Sequence, residues 1–232
     1  AVIAGGGLWL SLQKARPDVT VLPNSTEVPK TGPSIAVLPF SNRSDDKDQA
    51  YFADGITEDI TTDLSKVAGL YVTSRSASLK YRNGAQDPKA VASALGVRHI
   101  LTGSVRRAGS KIRITATLID AQSGGQLWAE RFDRETRDVF AIQDEIAGRV
   151  VRQLSETLSP VKRGYTPKVE AYDLYIQGRA RRIPPTPKNL KFALAKFEKA
   201  IEVDPKFAGG YAGASFARAL IYAGWGNDRG SL

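Results

Sequence analysis

The sequence predicts a mixed α/β domain followed by all-α helix pairs. Three observations carry that reading. Short apolar runs alternate with amphipathic helices up to about residue 96. From His99 to about Glu135 the hydrophobic period changes to two. Beyond Val169 the spacing of small, aromatic and proline residues is that of a helix-pair repeat.

The α/β part opens on SIAVLPF (34–40), a continuous apolar run that reads as a buried strand. A helix follows with Phe52, Ile56, Ile60, Leu64 and Val67 on one stripe. Leu70 to Arg75 reads as a second strand. Asp87-Pro88 opens another helix and Gly96 closes it: a carboxylate N-cap, proline at the first helical position, glycine past the last turn. In the period-two region Ile112, Ile114, Ala116 and Leu118 share one face and Arg113, Thr115 and Thr117 the other. Turn signals at 108–111 and 122–125 make this a three-stranded antiparallel meander. Ile142, Ile146, Val150, Leu154 and Leu158 then recur every four residues, a long helix over about 138–158. The order is β-α-β-α-β-β-β-α.

In the C-terminal part, Ala193, Phe197, Ala200 and Pro205 fit the second helix of a tetratricopeptide repeat. Small residues let two helices approach, Phe197 fills the groove, and Pro205 ends the helix. Gly178 matches the small residue of the first helix; Gln177 departs from the expected leucine. Leu174 and Tyr211, and Gly178 and Ser215, stand 37 residues apart, against a usual period of about 34. The insertion falls at IPPTP (183–187). One and a half repeats cannot bury a solenoid core, so the face around Tyr211, Phe216, Ile221 and Trp225 is expected to meet further repeats. The chain therefore reads as a piece of a longer scaffold or signalling protein.

Composition narrows the chemistry. Cysteine and methionine are absent, which excludes disulfides, thiolate nucleophiles and Cys-ligated metals. The formal charge is +9, but residues 1–159 are nearly balanced, with 20 basic and 18 acidic side chains. Residues 160–232 carry 13 and 6. A basic helical surface is more often a solvated face than a nucleic-acid groove, so no nucleic-acid partner is expected. Residues 1–12 (AVIAGGGLWLSL) are uncharged and too short for the ~20 residues of a bilayer span. They read as the end of a transmembrane anchor; the tail of a secretory signal or a buried strand are the alternatives. Lys14 and Arg16 follow, which on charge alone favours a cytoplasmic position for this side. Prolines 17, 23, 29 and 33 mark a linker, reaching roughly 60 Å at ~3.1 Å per residue.

No catalytic constellation emerges. His99 is the single histidine, with no partner for metal binding or nucleophile activation, and reads as structural or surface-exposed. GSVRRAGSK (103–111) has the glycines of a phosphate loop in the wrong order and joins two strands. Asp45, Asp46 and Asp48 lack the glycine and closing glutamate of a calcium loop. Asp54, Glu58, Asp59 and Asp63 could be paired for acid–base work, but a solvated helix face is the simpler reading. Trp128 and Phe132 share a strand face with Glu130 and are expected to cover a core edge.

Three runs together carry a family resemblance: PSIAVLPFSNRSDDKDQAYFADGITEDITTDLS, GVRHILTGSVRRAGSKIRITATLIDAQSGGQLWAERFDRE and VFAIQDEIAGRVVRQL. They resemble the TolB-N-terminal-like (FlgO-like) domain of bacterial membrane-anchored signalling proteins, followed there by tetratricopeptide repeats that open like AYDLYIQG (171–178). The resemblance covers about 33–211. It implies a TolB-like mixed sandwich behind a membrane anchor, with an effector upstream. That effector is most often a class III adenylate or guanylate cyclase, otherwise a winged-helix regulator or a kinase. The expected division is 1–12 anchor, 13–33 linker, 34–160 α/β domain and 167–232 start of the repeat array. The expected function is a periplasmic, non-catalytic sensor without cofactor or metal, bound to the membrane through the anchor. Its protein partner would be engaged through Tyr172, Tyr175, Arg179, Arg182 and Tyr211. A small-molecule-binding or hydrolytic α/β domain is the rival from another class.

Overall fold

A computed structural model describes residues 32–82, 87–155, 157–161 and 163–225. The anchor expected at 1–12 and nearly all of the linker lie outside the described residues. No helix among the described residues is long and apolar enough to cross a membrane.

Strand β1 (Ser34–Val37) is fully buried, and β2 (Ser41–Asn42) follows after Pro39. Helix α1 (Ala50–Ser65) packs Phe52, Ile56, Ile60 and Leu64 inward. Then come β3 (Tyr71–Val72), the single turn α2 (Arg75–Ser78) and α3 (Pro88–Leu95). The meander is β4 (His99–Ala108), β5 (Lys111–Asp120) and β6 (Gly125–Glu135), and α4 (Val139–Leu154) closes the unit. The sheet order is β3-β1-β4-β5-β6, with β2 also beside β4. β1 runs parallel to both β3 and β4, while β5 and β6 are antiparallel, so the sheet is mixed as expected.

Strand alternation splits the core between two faces. Ile35, Val37, Leu101, Ile114 and Leu118 join the stripes of α1 and α4 on one face. Ala36, Ile100 and Ala121 meet Val91 and Ala92 of α3 on the other. β4 lies flush against its surroundings at Gly103, where a Cβ would strike the Thr115 carbonyl oxygen and come 2.6 Å from the Phe40 ring. Asp87 caps α3 through the Lys89 N–H at 3.1 Å, and Gly96 ends it in the left-handed conformation, φ 66°.

Three details differ from the sequence reading. The second strand keeps only two residues, because Ser74 accepts from the Ala77 N–H and starts a helical turn. α4 ends at Leu154, four residues early, where Ser155 turns extended. The short β2 had no periodicity to reveal it.

Three further helices follow: α5 (Val169–Arg181), α6 (Pro187–Val203) and α7 (Ala208–Trp225). Phe197 of α6 is fully buried between glycines of its neighbours. A Cβ at Gly178 of α5 would lie 2.7 Å from the ring and one at Gly213 of α7 2.6 Å. Ala193, Ala214 and Ala217 complete this small core. It is not isolated. Tyr172 and Ile176 of α5 belong to the main core, and Ile176 sits on Gly55 of α1, where a Cβ would be 2.9 Å away. The described residues belong to one compact unit.

Candidate functional site

The four α1 carboxylates do not solvate a free helix face. Successive carboxylates about a turn apart are brought by α1 to the seam where α5 and the 155–168 segment arrive. Each finds a specific partner there. Asp54 takes Arg82 at 2.6 Å; Glu58 holds both Arg75, at 3.0 Å, and Arg179 of α5. Asp63 receives Arg163 at 2.6 Å and Lys66 at 2.8 Å. The sequence expectation of a solvated face is thereby corrected. Helical periodicity shows that a face is polar, but not that another cationic element will cover it.

Asp59 meets side chains of both α4 and α5. The Gln143 amide, wholly buried, donates to Asp59 at 3.3 Å and to the Tyr172 hydroxyl at 3.4 Å. Tyr172 also hydrogen-bonds the Asp59 carboxylate. Arg163 donates to the Gln143 carbonyl at 3.3 Å and to Asp144 at 3.1 Å, its guanidinium 5.4 Å over the Phe140 ring. Burial pushes the Asp59 carboxyl up to about 6, with its hydrogen bonds and Arg163 opposing. Burial and the Asp59 charge raise the Tyr172 hydroxyl well above its ordinary range.

The other flank of α5 is held with the charges reversed. Asp173 accepts from Arg107 of β4 at 2.9 Å, from the Tyr51 hydroxyl at 3.1 Å and from Gln177 at 2.9 Å. Farther along, Asp204 is buried and accepts from the Tyr165 hydroxyl at 2.6 Å and the Lys168 N–H at 2.8 Å, tying the start of α5 to the end of α6. This bond raises the Tyr165 hydroxyl to about 12. A cleft of about 660 Å³ opens along the seam, lined among others by Asp59, Asp63, Arg163, Tyr165, Tyr175 and Arg179. Its size suits a small ligand, and its walls carry both signs of charge.

The five residues expected to form an interaction surface separate. Tyr172 is 2% exposed, its ring edge-on to Phe140 at 4.9 Å, so it does not present itself to a partner. Its place in a polar-looking helix hid that. Tyr175 is half-buried against Phe197 and Phe207, and Arg179 stacks on it at 5.2 Å. Burial lowers the Arg179 guanidinium to about 10. These three converge on the seam. Arg182 lies over the Phe216 ring at 4.7 Å, its Nε without a hydrogen-bond partner among the described residues. Tyr211 on α7 is 49% exposed.

The remaining candidates resolve simply. His99 is buried, its Nδ1 3.0 Å from the Ser34 carbonyl, and burial lowers its pKa; it joins β4 to β1. Residues 103–111 form the β4–β5 hairpin. Trp128 packs on Phe132 and donates to Glu130 at 3.2 Å. Among the described residues no group of three His, Cys, Asp or Glu could hold a metal ion.

The described residues thus form a mixed sheet with helices on both faces, continued by helices locked on through a charged seam. Residues 31–149 match the family model described as HilA/YgeH-like transcriptional regulator, second domain, and the chain belongs to that family. It is also 42% identical over 212 residues to "Putative adenylate cyclase 3" of Rhizobium meliloti (strain 1021). That alignment takes in 89% of this chain and 36% of the relative, so the chain spans little more than a third of the relative's length. Among solved structures, TolB from Acinetobacter baumannii is 20% identical with a TM-score of 0.42, over 54% of this chain and 29% of that one. A lipoprotein of Neisseria meningitidis is 22% identical with a TM-score of 0.39, over 54% of this chain and 99% of that one.

Proposed function

We propose that this chain is the non-catalytic sensing and protein-binding region of a membrane-anchored bacterial signalling protein, its effector an adenylate cyclase located upstream. The observation that carries this reading is the seam. Its ionisable side chains join the α/β domain to α5, so a partner that engages the helices acts directly on the domain. The 42% identity to the cyclase-named relative supports the choice of effector. The interlock of Phe197 with Gly178 and Gly213 supports reading α5–α7 as the start of a tetratricopeptide array that takes a protein partner. Anchoring through residues 1–12 and a periplasmic position for the folded part complete the proposal. Tyr175, Arg179, Arg182 and Tyr211 are its interaction residues, with Tyr172 supporting them from within.

A second reading has its own support. The family description names transcriptional regulators, so the same module attached to a winged-helix head is the alternative. One experiment separates them. The full-length protein is expressed in a bacterial strain lacking its own adenylate cyclase, with and without residues 163–225. Cyclic AMP output that changes on the deletion supports the proposal. Absence of cyclic AMP together with sequence-specific DNA binding by the parent protein replaces it with the alternative. A reporter fused after Leu232 tests the membrane side.

A further inference from the structure

The open edge of the sheet has a property the seam does not explain. β6 is a terminal strand, 11 residues long, and it pairs only with β5 among the described residues. A long unpaired edge invites another strand, and proteins usually blunt it with charged side chains or with proline. Here the charges alternate: Glu130, Arg131, Phe132, Asp133, Arg134. About Phe132 this order is antisymmetric. Arg131 mirrors Asp133, and Glu130 mirrors Arg134.

The backbone is set for pairing in that register. The Thr136 N–H donates to the Ser110 carbonyl at 2.6 Å, which extends the β5–β6 pairing of Lys111 with Glu135 by one step. Hydrogen-bonded pairs alternate along an antiparallel ladder. Even-numbered residues from 136 down to 130 therefore turn their backbone to β5. Ala129, Arg131, Asp133 and Glu135 turn theirs outward, and all four are exposed. Among the described residues the Asp133 carbonyl is met there by the Arg134 side chain, at 3.1 Å.

We infer that β6 pairs antiparallel with β6 of a second copy of this chain about a two-fold axis at Phe132, fusing the two sheets into one. An axis perpendicular to the sheet keeps faces matched and demands an even register. At Phe132 it sets Arg131 against the partner's Asp133 in a hydrogen-bonded pair on the outer face. On the helix face it sets Glu130 against the partner's Arg134, each contact repeated by the symmetry. Sliding to the next allowed register brings Arg131 against its own copy one way and Asp133 against its own copy the other. Like charges directly opposite are unfavourable, so the pattern selects one register. Asp133 currently accepts from Arg113 at 2.5 Å and lies 3.3 Å from Arg131. Among the described residues Arg134 makes no ion pair; on pairing, its bond to the Asp133 carbonyl gives way to the incoming strand, and Glu130 exchanges Arg149, now 3.7 Å away, for the second copy's Arg134.

Sedimentation of the whole chain over roughly 1 µM to 1 mM provides the test. Arg131→Asp sets carboxylate against carboxylate across the axis, and Asp133→Arg sets guanidinium against guanidinium. Each variant alone should self-associate at least about tenfold more weakly than the unaltered chain. An equimolar mixture of the two should regain dimers, because the altered charges then complement each other. Ala129→Pro removes an outward N–H without touching the β5 ladder and should also give monomers; circular dichroism and melting verify that each variant is folded. An unaltered chain that stays monomeric to 1 mM overturns the inference, as do folded variants that dimerise like it or a mixture that gains nothing.

Discussion

At the scale of single residues, the seam turns on Asp59. Its carboxyl is raised from 3.8 to about 6 because the surroundings resist its charge. The native chain therefore holds a proton on Asp59 that the unfolded chain releases at lower pH. Stability from this group is fully present below about pH 4 and is lost as pH rises through about 6. Asp59→Asn keeps an acceptor for Gln143 and removes the charge. Between pH 4 and pH 7.5 the variant should gain about 2–3 kcal/mol relative to the unaltered chain, measured by urea unfolding. A difference that stays flat with pH contradicts the assignment. Comparing the two chains cancels His99, whose lowered pKa acts in the opposite direction as pH falls. Some of this detail was legible in the sequence and some was not. Asp59 stood out as one of four carboxylates, but Gln143 did not: an amide beside Ile142 in a helical stripe carries no sign of being wholly buried. Phe197 and Gly178 were legible because close helix crossing demands a small residue opposite a ring. Gly213 obeys the same rule, yet the repeat frame drew attention to Ser215, which is exposed.

At the scale of elements, α5 decides how the molecule is joined. Two ion-paired flanks hold it, Arg107–Asp173 at 2.9 Å on one side and Arg179–Glu58 on the other, with Tyr172 and Ile176 between. The Arg179 side chain is only 12% exposed, so its removal leaves Glu58 with Arg75 alone and takes away the cation 4.0 Å from Asp59. Arg179→Ala should destabilise the chain by about 1–3 kcal/mol in urea unfolding, whereas a surface pair lost elsewhere costs under about 1. Lys199→Ala, which breaks an exposed pair with Glu202, is the comparison. Equal small effects for both would contradict a structural clasp. The elements themselves were largely readable. Alternation exposed the meander and its two turns, and the Asp87-Pro88…Gly96 punctuation placed α3. β2 and α2 were not readable, because two residues or one turn contain no period; pairing with β4 and the Ser74 cap define them.

At the scale of the whole molecule, the α/β elements and the three helices that follow them share one core among the described residues. The division at 160–167 follows composition, since cationic and helical residues dominate beyond it. The core ignores that border: α5 contributes Tyr172 and Ile176 to the cluster built on Phe52, Ile56 and Phe140. Long-range packing of this kind leaves no local trace in either segment. A chain ended at residue 160 uncovers that apolar face, and it should bind a hydrophobic dye and melt well below the full chain. An unchanged melting temperature would show that the helices are only appended. The most direct test of the shared core is native-state hydrogen exchange in low urea. The amides of Ile176 and Gly178 in α5 should open with the same free energy and urea dependence as those of Ile60 and Leu64 in α1. Opening of α5 several kcal/mol below α1, with the sheet still protected, would contradict the account.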